Sequence, residues 1–535
     1  MIHNRSFRKL LAGAAAFACA VSLFMTADIR LLAKDNTTAI GIGIDVSKYQ
    51  GDVDWNAVAA SGVQFAFVRV GNMKIGLDEK FDQNMTQAHA AGIKTGVYIY
   101  SYAMNAQEAA TEAVFVLSAI QNYVVNMPVV IDIENSTQHA LTKEQQSEIA
   151  NTFCAIIEGS GYYPMVYTNK YWFLNRMGPI GYDKWVAQYG ATCDIEEASF
   201  WQASNTGRIP GIQGNVDIDY QYKDLSADII PYGFLYRKGN YFFYENYKMK
   251  TSSFVEYNGG IYYVNEVGCR VSGLYPVGGY VYYFNEDGLM QTGFQTIAGN
   301  TYFFDQEGKM VTGAVQIGDQ RFLFGVNGVM HRGWLATDAM YYCYEDGHMA
   351  FGLSQIGTDI YYFDEAGRMC LGWQTLGDTV LYFHPATGKM LTGWNVIGTD
   401  TYYFDVTSGA RQVGWINLDG SVYYLGTEGA LHVGLCAVGD GYYYFDAAGR
   451  LYTGFLSDGV NTFYFSPVDG TQARGWTVID GGIYYFAPDS GLMCMGLHNI
   501  DNKIYLFDGS GKMQVGWQEI GGQNFYFGED GALVQ

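Results

Sequence analysis

Two apolar periods divide the chain. From residue 40 to about 225, short apolar runs alternate with longer segments whose apolar positions recur at helical spacing. Ile40–Val46, Phe65–Val70, Thr95–Tyr102, Val129–Glu134, Met165–Thr168, Trp185–Tyr189, Ser199–Ala203 and Val216–Tyr222 read as strands. Asp54–Gly62, Phe81–Gly92, Asn105–Val124 and Thr142–Gly161 read as helices, with Gly92 as a stop signal and Glu144 in a first turn. Repeated strand–helix units predict a parallel sheet. Eight strands in roughly 180 residues suffice to close a small barrel, and the last connections are too short for full helices. The expected fold class is α/β, an irregular (β/α) TIM-like barrel with an incomplete helix ring over residues 40–225.

Beyond it the period changes. From Gly273 a Gly, usually followed by a large apolar residue, returns every 19–21 residues as far as Gly516-Trp517. Such fixed self-similarity marks an array of small units. In Gly393–Asp405, Gly398 centres a turn between two alternating strands, and segments such as Asp364–Gly367 make a second turn, often followed by Met. A lone hairpin of this size is marginal, so each must bury its aromatic face on the next. Counting degenerate units near Gly233 and Ser253, there are about fifteen. The expectation is an all-β solenoid of hairpin repeats over 233–535, joined to the barrel by a linker at 226–232 with Pro231 at the junction.

Composition agrees with strands and tight turns: 16% aromatic, 16% charged, with 45 Tyr and 67 Gly. The net charge of −22 argues against nucleic acid as a partner, because phosphate binding needs a basic face. Arg5, Arg8 and Lys9 precede an apolar run from Leu10 to Met25, the layout of a secretory signal. Residues 1–33 are therefore expected to direct export, making the protein secreted and extracellular. Cys154, Cys193, Cys269, Cys343, Cys370, Cys436 and Cys494 are scattered without a C-x-x-C pair, so zinc, redox motifs and a disulfide framework are not expected.

In a βα-barrel the reactive groups sit at the C-terminal strand ends. There the sequence places Asp45, Arg69, Tyr100 and Tyr102, Asp132 and Glu134, Tyr167 and Asn169, Gln188, Trp201 and Gln202, and Asp217 and Asp219. No His and no metal-ligating set is among them, and no cofactor is implied. Asp132 and Glu134 alternate onto one strand face, about 6–7 Å apart along the backbone, while Ile131 and Ile133 point to the helix layer. Two carboxyl groups on one apolar wall cannot both ionise easily, so one keeps its proton to higher pH, as a general acid must. Glycoside hydrolysis needs that acid and a second carboxylate. Tyr98 reads as core, Trp55 and Trp172 as packing, Trp201 as either a sugar platform or core, and Arg69 as either a ligand for a substrate carboxylate or a member of a structural ion pair.

These residues carry a resemblance. Gly43-Ile44-Asp45-Val46-Ser47-Lys48-Tyr49-Gln50 resembles the opening strand of the family 25 glycoside hydrolases, which are lysozymes. Asp132-Ile133-Glu134, Tyr167-Thr168-Asn169, Trp185–Tyr189, Phe200-Trp201-Gln202 and Gly211–Asp217 follow in that family's order. The resemblance implies cleavage, with retention, of the β-1,4 bond between N-acetylmuramic acid and N-acetylglucosamine in peptidoglycan. It implies Glu134 as general acid/base, with Asp132 as its partner, either orienting the substrate's 2-acetamido group or attacking directly. It implies supporting roles for Asp45 and Asp217, and substrate contacts from Tyr102, Tyr167, Gln188, Trp201 and Arg69. Asp219 departs from the pattern, since relatives often have Asn there. The intact set of four acids argues against an inactive wall-binding protein or adhesin. Another N-acetylhexosaminide glycosidase, of the chitinase kind, is disfavoured because its longer Asp-rich strand motif is missing.

The repeats resemble the cell-wall-binding repeats of choline-binding proteins, clostridial toxins and streptococcal glucan-binding proteins. A Trp follows the Gly in six units, at Trp334, Trp373, Trp394, Trp415, Trp476 and Trp517, which are the candidate ligand contacts, those from Gly333 to Trp415 foremost. The second Trp of the choline type is replaced, for example by Ile261, Val281, Thr301, Ile360, Thr401 and Ile483. A cation needs a π-rich cage, so a cell-wall polysaccharide or teichoic-type polymer is expected ahead of choline. Many weak sites would hold the enzyme on an insoluble wall by avidity, so the resemblance implies a cell-wall-associated protein.

Overall fold

A computed structural model describes residues 34–534. The apolar run expected to direct export lies outside the described residues. The described chain forms two compact units: one runs to Gln295 and takes in Phe303–Met310, the other takes Thr296–Tyr302 and continues from Val311.

The first unit holds a closed barrel. Its strands are β1 (Gly41–Val46), β2 (Phe65–Asn72), β4 (Lys94–Tyr100), β5 (Val129–Asp132), β6 (Pro164–Asn169), β7 (Asp183–Ala187), β8 (Ala198–Gly207) and β9 (Val216–Gln221), with β3 (Gly76–Leu77) a two-residue antiparallel extension of β2. They neighbour in the order β1-β9-β8-β7-β6-β5-β4-β2, and β1 pairs with β2 to close the ring. The wholly parallel sheet expected from the sequence needs one correction: β9 runs antiparallel to both β8 and β1. Only residues 208–215 connect β8 to β9, too few for the dozen or more that a parallel crossover takes.

Five helices cover part of the outer face: α1 (Trp55–Ala60), α2 (Phe81–Ala90), α3 (Ala106–Ile120), α4 (Lys143–Gly159) and α5 (Lys170–Asn175). Side chains cap four of them: Asp54, Asn105, Thr142 and Asn169 each accept an N–H of the first turn. No helix follows β7 or β8. There Val186, Trp201, Cys193 and Ile195 form a separate outer cluster, and the chain at Lys34 bridges to Cys193. The helix-facing core runs through Ile44, Val68, Val97, Ile131, Ile133 and Val166, with Trp55 and Trp172 buried in it as expected. Inside the barrel Phe65, Phe67, Met127, Val130, Met165 and Phe200 pack into a plug, with Phe67 stacked on Trp185 at 4.4 Å. All seven described cysteines are free thiols.

After β9 the chain does not leave the barrel. Leu225 is buried in the plug and Ile229 packs against it. A three-stranded sheet, β10 (Tyr232–Arg237), β11 (Asn240–Glu245) and β12 (Lys248–Met249), then docks beside α3 and α4. Lys238 Nζ meets Glu158 Oε2 at 2.7 Å, and Lys248 Nζ donates to the Gln121 carbonyl at the end of α3. Met249 lies so close to Gly161 that a Cβ there would fall 2.5 Å from the Met249 Cβ.

Fourteen two-stranded hairpins follow. Asn258 (φ 49°) and Gly259 (φ 78°) show the turn chemistry: two residues in left-handed backbone, whose twist matches that of the strands. The last residue of each second strand fills the hairpin base, as Phe383, Phe404 and Phe445 do without exposure. The residue after the second turn bonds back to the preceding unit: Met390 N to Ile360 O, Arg411 N to Val380 O and Leu431 N to Thr401 O, each 2.8 Å. Each hairpin is thereby wired by backbone as well as rings to its neighbour.

Candidate active site

The plug closes one end of the barrel and leaves a cleft of about 400 Å³ at the other, where the parallel strands end. Strand alternation fixes what faces it. On β1, Ile44 goes to the helix layer and Asp45 to the cleft; on β5, Ile131 goes out and Asp132 in. Glu134 stands two residues further, just past the end of β5, and still lines the cleft. Because β9 is antiparallel, its beginning lies at the mouth, and Asp217 pairs directly with Asp45. The four acids expected to act together therefore do line one cleft.

Their environments differ. Asp45 and Asp132 are buried, Glu134 and Asp217 half-buried. Burial, with Asp217 and Glu134 nearby, pushes the Asp45 carboxyl well above the usual range, although Gln202 opposes this by hydrogen bonding. Burial and then the charges of Glu134 and Asp45 push Asp132 well up as well, with Arg69 opposing. Burial followed by Asp217 raises Glu134. Burial raises Asp217 from 3.8 to about 6. Asp132 lines the cleft, and its Oδ1 is buried with no hydrogen-bond partner among the described residues.

Gln202 organises the opposite side. Its Nε2 donates to Asp45 Oδ2 (2.7 Å), while Tyr167 Oη and Tyr189 Oη donate to its Oε1 (2.9 and 3.1 Å). Tyr98, Tyr167 and Trp185 line the cleft from the side of the plug, and Ser47, Tyr49 and Gln50 complete the lining. Tyr98, read as core, is thus both core and cleft lining. Arg69 lines the cleft with Nε buried and unbonded. Tyr102 also lines it.

Two expected contacts are corrected. Trp201 is buried on the outer face of β8, where its Nε1 donates to the Gln188 carbonyl (2.7 Å). Gln188 bonds Asp194 through its amide oxygen and nitrogen (3.1 and 2.9 Å) and is absent from the cleft lining. Both sit one residue away from groups that do face the cleft, Gln202 and Tyr189, and the pleat sends neighbours to opposite faces. Asp219 points inward but deeper. It is fully buried, accepts the Trp185 Nε1–H (2.8 Å) and is missing from the cleft lining. Burial and the charge of Asp45 push its carboxyl well above the usual range.

In the repeats, five of the six tryptophans sit 39–43% exposed between hairpins, and Trp517 is 66% exposed. Trp394 meets Tyr403 of its own hairpin at 4.9 Å and Tyr423 of the next at 5.0 Å. Trp415 does the same with Tyr424 and Tyr443, and Trp476 with Tyr485 and Tyr505. A third ring thus comes from the following unit, although the second Trp is missing. The units are unequal: the Arg411 guanidinium already lies 5.7 Å from the Trp373 ring. Trp415 and Tyr443 open onto a groove of about 620 Å³ that Asp446, Arg450 and Asp469 also line.

Residues 44–212 match the model of the glycosyl hydrolases family 25. Residues 271–310, 291–320 and 452–496 match the choline-binding repeat, and 413–431 and 515–533 the cell wall binding repeat. The chain is 29% identical over 208 residues to Lysozyme M1 of Streptomyces globisporus, covering 36% of this chain and 70% of that protein. It is 28% identical over 181 residues to the autolytic lysozyme of Clostridium acetobutylicum, covering 33% of this chain and 54% of that one. A solved bacterial lysozyme from Streptomyces coelicolor aligns over 34% of this chain and 93% of its own, at 26% identity and a TM-score of 0.29. Asp217 lies beyond the matched span and joins the site through its pairing with Asp45. The barrel and the hairpins that follow it in the chain thus have known counterparts: the chain carries a domain of glycosyl hydrolase family 25 followed by a tract of choline-binding-type repeats.

Proposed function

We propose that the barrel hydrolyses the β-1,4 bond after N-acetylmuramic acid in peptidoglycan, with retention, and that the repeats hold it on the wall. One observation carries the reading: Asp132, buried with an unsatisfied Oδ1, stands beside Glu134, whose acidity is weakened by burial. The protonated Glu134 donates to the glycosidic oxygen. The carbonyl oxygen of the substrate's 2-acetamido group attacks the anomeric carbon as the leaving sugar departs. Asp132 receives the acetamide N–H, the donor its free oxygen lacks, and stabilises the positive charge that develops there. Glu134, now a carboxylate, takes a proton from water, which opens the intermediate from the opposite face and restores the original configuration. Asp45 and Asp217 sustain the negative potential around the developing oxocarbenium charge. Tyr102, Tyr167 and Arg69 bind substrate.

The repeats bind a wall polysaccharide or teichoic-type polymer in this reading, and the three rings gathered at Trp334, Trp394, Trp415 and Trp476 also form the kind of cage that a choline cation fits. Arg5, Arg8, Lys9 and the apolar run behind them support export. Digestion of purified peptidoglycan tests the enzyme: new reducing ends should be N-acetylmuramic acid, and N-acetylglucosamine ends would instead indicate the other glycosidase. Glu134→Gln should lower the rate by at least about 10²-fold while wall binding persists. Release of bound residues 311–535 from purified walls by choline, and not by glycan fragments, would reverse the preference for a polymer.

A further inference from the structure

The wall between the two carboxylate sectors is built from different chemistry. Around the barrel, β2 and β4 separate β1 and β9, which carry Asp45 and Asp217, from β5, which carries Asp132. This arc presents Arg69, Tyr100 and Tyr102. Arg69 Cζ lies 5.8 Å from the Tyr100 ring centre, Tyr100 and Tyr102 meet edge to face at 5.4 Å, and Lys74 Nζ lies 3.8 Å from the Tyr102 ring centre. Two cations bracket two aromatic rings in one row, from half-buried Arg69 to exposed Lys74.

The row is held rigidly. The buried Glu112 accepts the Tyr102 N–H (2.8 Å) and the Ser101 hydroxyl (2.6 Å). Lys74 sits on the β2–β3 turn, where Asn72 Oδ1 accepts the N–H groups of Lys74 (2.9 Å) and Ile75 (3.0 Å). Gly71, at φ 138°, lets this turn close, for a Cβ there would lie 2.1 Å from the Gly76 carbonyl. Lys74 is the only charge in Met73–Leu77, and among the described residues neither it nor Arg69 has a carboxylate within 4.0 Å. A lysine over a ring keeps its outer face for an anion.

We propose that Lys74, together with Arg69, forms a subsite for the carboxylates on the glycan's substituent, the lactyl group or the peptide attached to it. The subsite favours acidic over neutral glycan in a cleft whose four acids would otherwise repel an anionic chain. It rests on the muramidase reading given above.

The test compares soluble peptidoglycan fragments in native form with the same fragments after their carboxylates are converted to amides. The parent protein should lose several-fold in kcat/KM on the amidated form. Lys74→Met keeps the apolar stem on Tyr102 and removes the charge. It should show part of that loss on native fragments, carried by KM, with the remainder resting on Arg69, and little further loss on amidated ones; Lys74→Arg should restore the discrimination. A parent that cleaves both forms equally well, or Lys74→Met discriminating as strongly as the parent, overturns the subsite alone. A parent that releases no muramic acid ends from either form overturns the muramidase reading and the subsite with it.

Discussion

Three hydrogen bonds converge on the buried amide of Gln202, from Tyr167 and Tyr189 and to Asp45. Gln202→Leu strands the buried Tyr167 hydroxyl and Asp45 carboxyl, so unfolding free energy should fall by about 2–4 kcal/mol, read from urea denaturation. A loss below about 0.5 kcal/mol would mean that these bonds are replaced by others. Asp217 makes a different prediction. Burial raises its carboxyl from 3.8 to about 6, so the folded chain binds that proton more tightly than the unfolded chain. Stability contributed by this group is present below about pH 4 and is lost as pH rises through about 6. Asp217→Asn should therefore melt higher than the parent at pH 7 and level with it near pH 3.5; an equal gain at both would rule out ionisation as the cause. The acids were legible in the sequence because each lies at or beside one end of a strand with strong alternation. Gln202 was placed at a strand end but given no role, and Tyr189 was not singled out, although parity marks both: Phe200 and Gln202 share a face that excludes Trp201, and Trp185, Ala187 and Tyr189 share one that excludes Gln188. Apolar size drew attention to Trp201, and size does not say which face a residue takes.

Among the elements, β9 shows where local pattern stops informing. Its alternation identified a strand with Asp217 and Asp219 on one face, but strand direction depends on connection length and on which neighbour pairs. The eight residues before it dictate a hairpin return, and that return brings the start of β9 to the mouth. The hairpins were legible through their turns, since left-handed pairs such as Asn258-Gly259 are a local demand. Their dependence on one another was not, because the ring contacts and backbone bonds between units join residues some thirty positions apart. Phe404 is fully buried at the base of its hairpin and lies 5.9 Å from Trp373 of the preceding one. Phe404→Ala should cost about 3–5 kcal/mol locally and open both units to hydrogen exchange. Wall retention should fall while hydrolysis of soluble fragments stays at the parent level; a matching loss of hydrolysis would show that the array and the barrel do not act separately.

At the scale of the molecule, the junction read from the sequence falls at Pro231, just before the degenerate units that begin near Gly233. The three-stranded sheet that follows is anchored to the barrel by Lys238–Glu158, by Lys248 on the end of α3 and by Met249 against Gly161. A protein ending at residue 231 should melt several degrees below one ending at residue 272, with the loss visible in barrel fluorescence; equal melting temperatures would show that the sheet adds nothing to the barrel. No periodicity in the sequence announces this, since the contacts are single residues on α3, α4 and the turn between α4 and β6, each unremarkable in its own segment.

That docked sheet also sets where this enzyme can be recombined. A joint made at Pro231 would give a foreign tail the task of covering Gly161 and pairing Glu158, which an unrelated repeat has no reason to perform. A joint made after residue 272 leaves the sheet and the next hairpin with their native barrel and presents the incoming array with the kind of surface it already stacks upon. The interchangeable part of the tail thus begins after its first units, and a hybrid protein built from this chain inherits its barrel and sheet together.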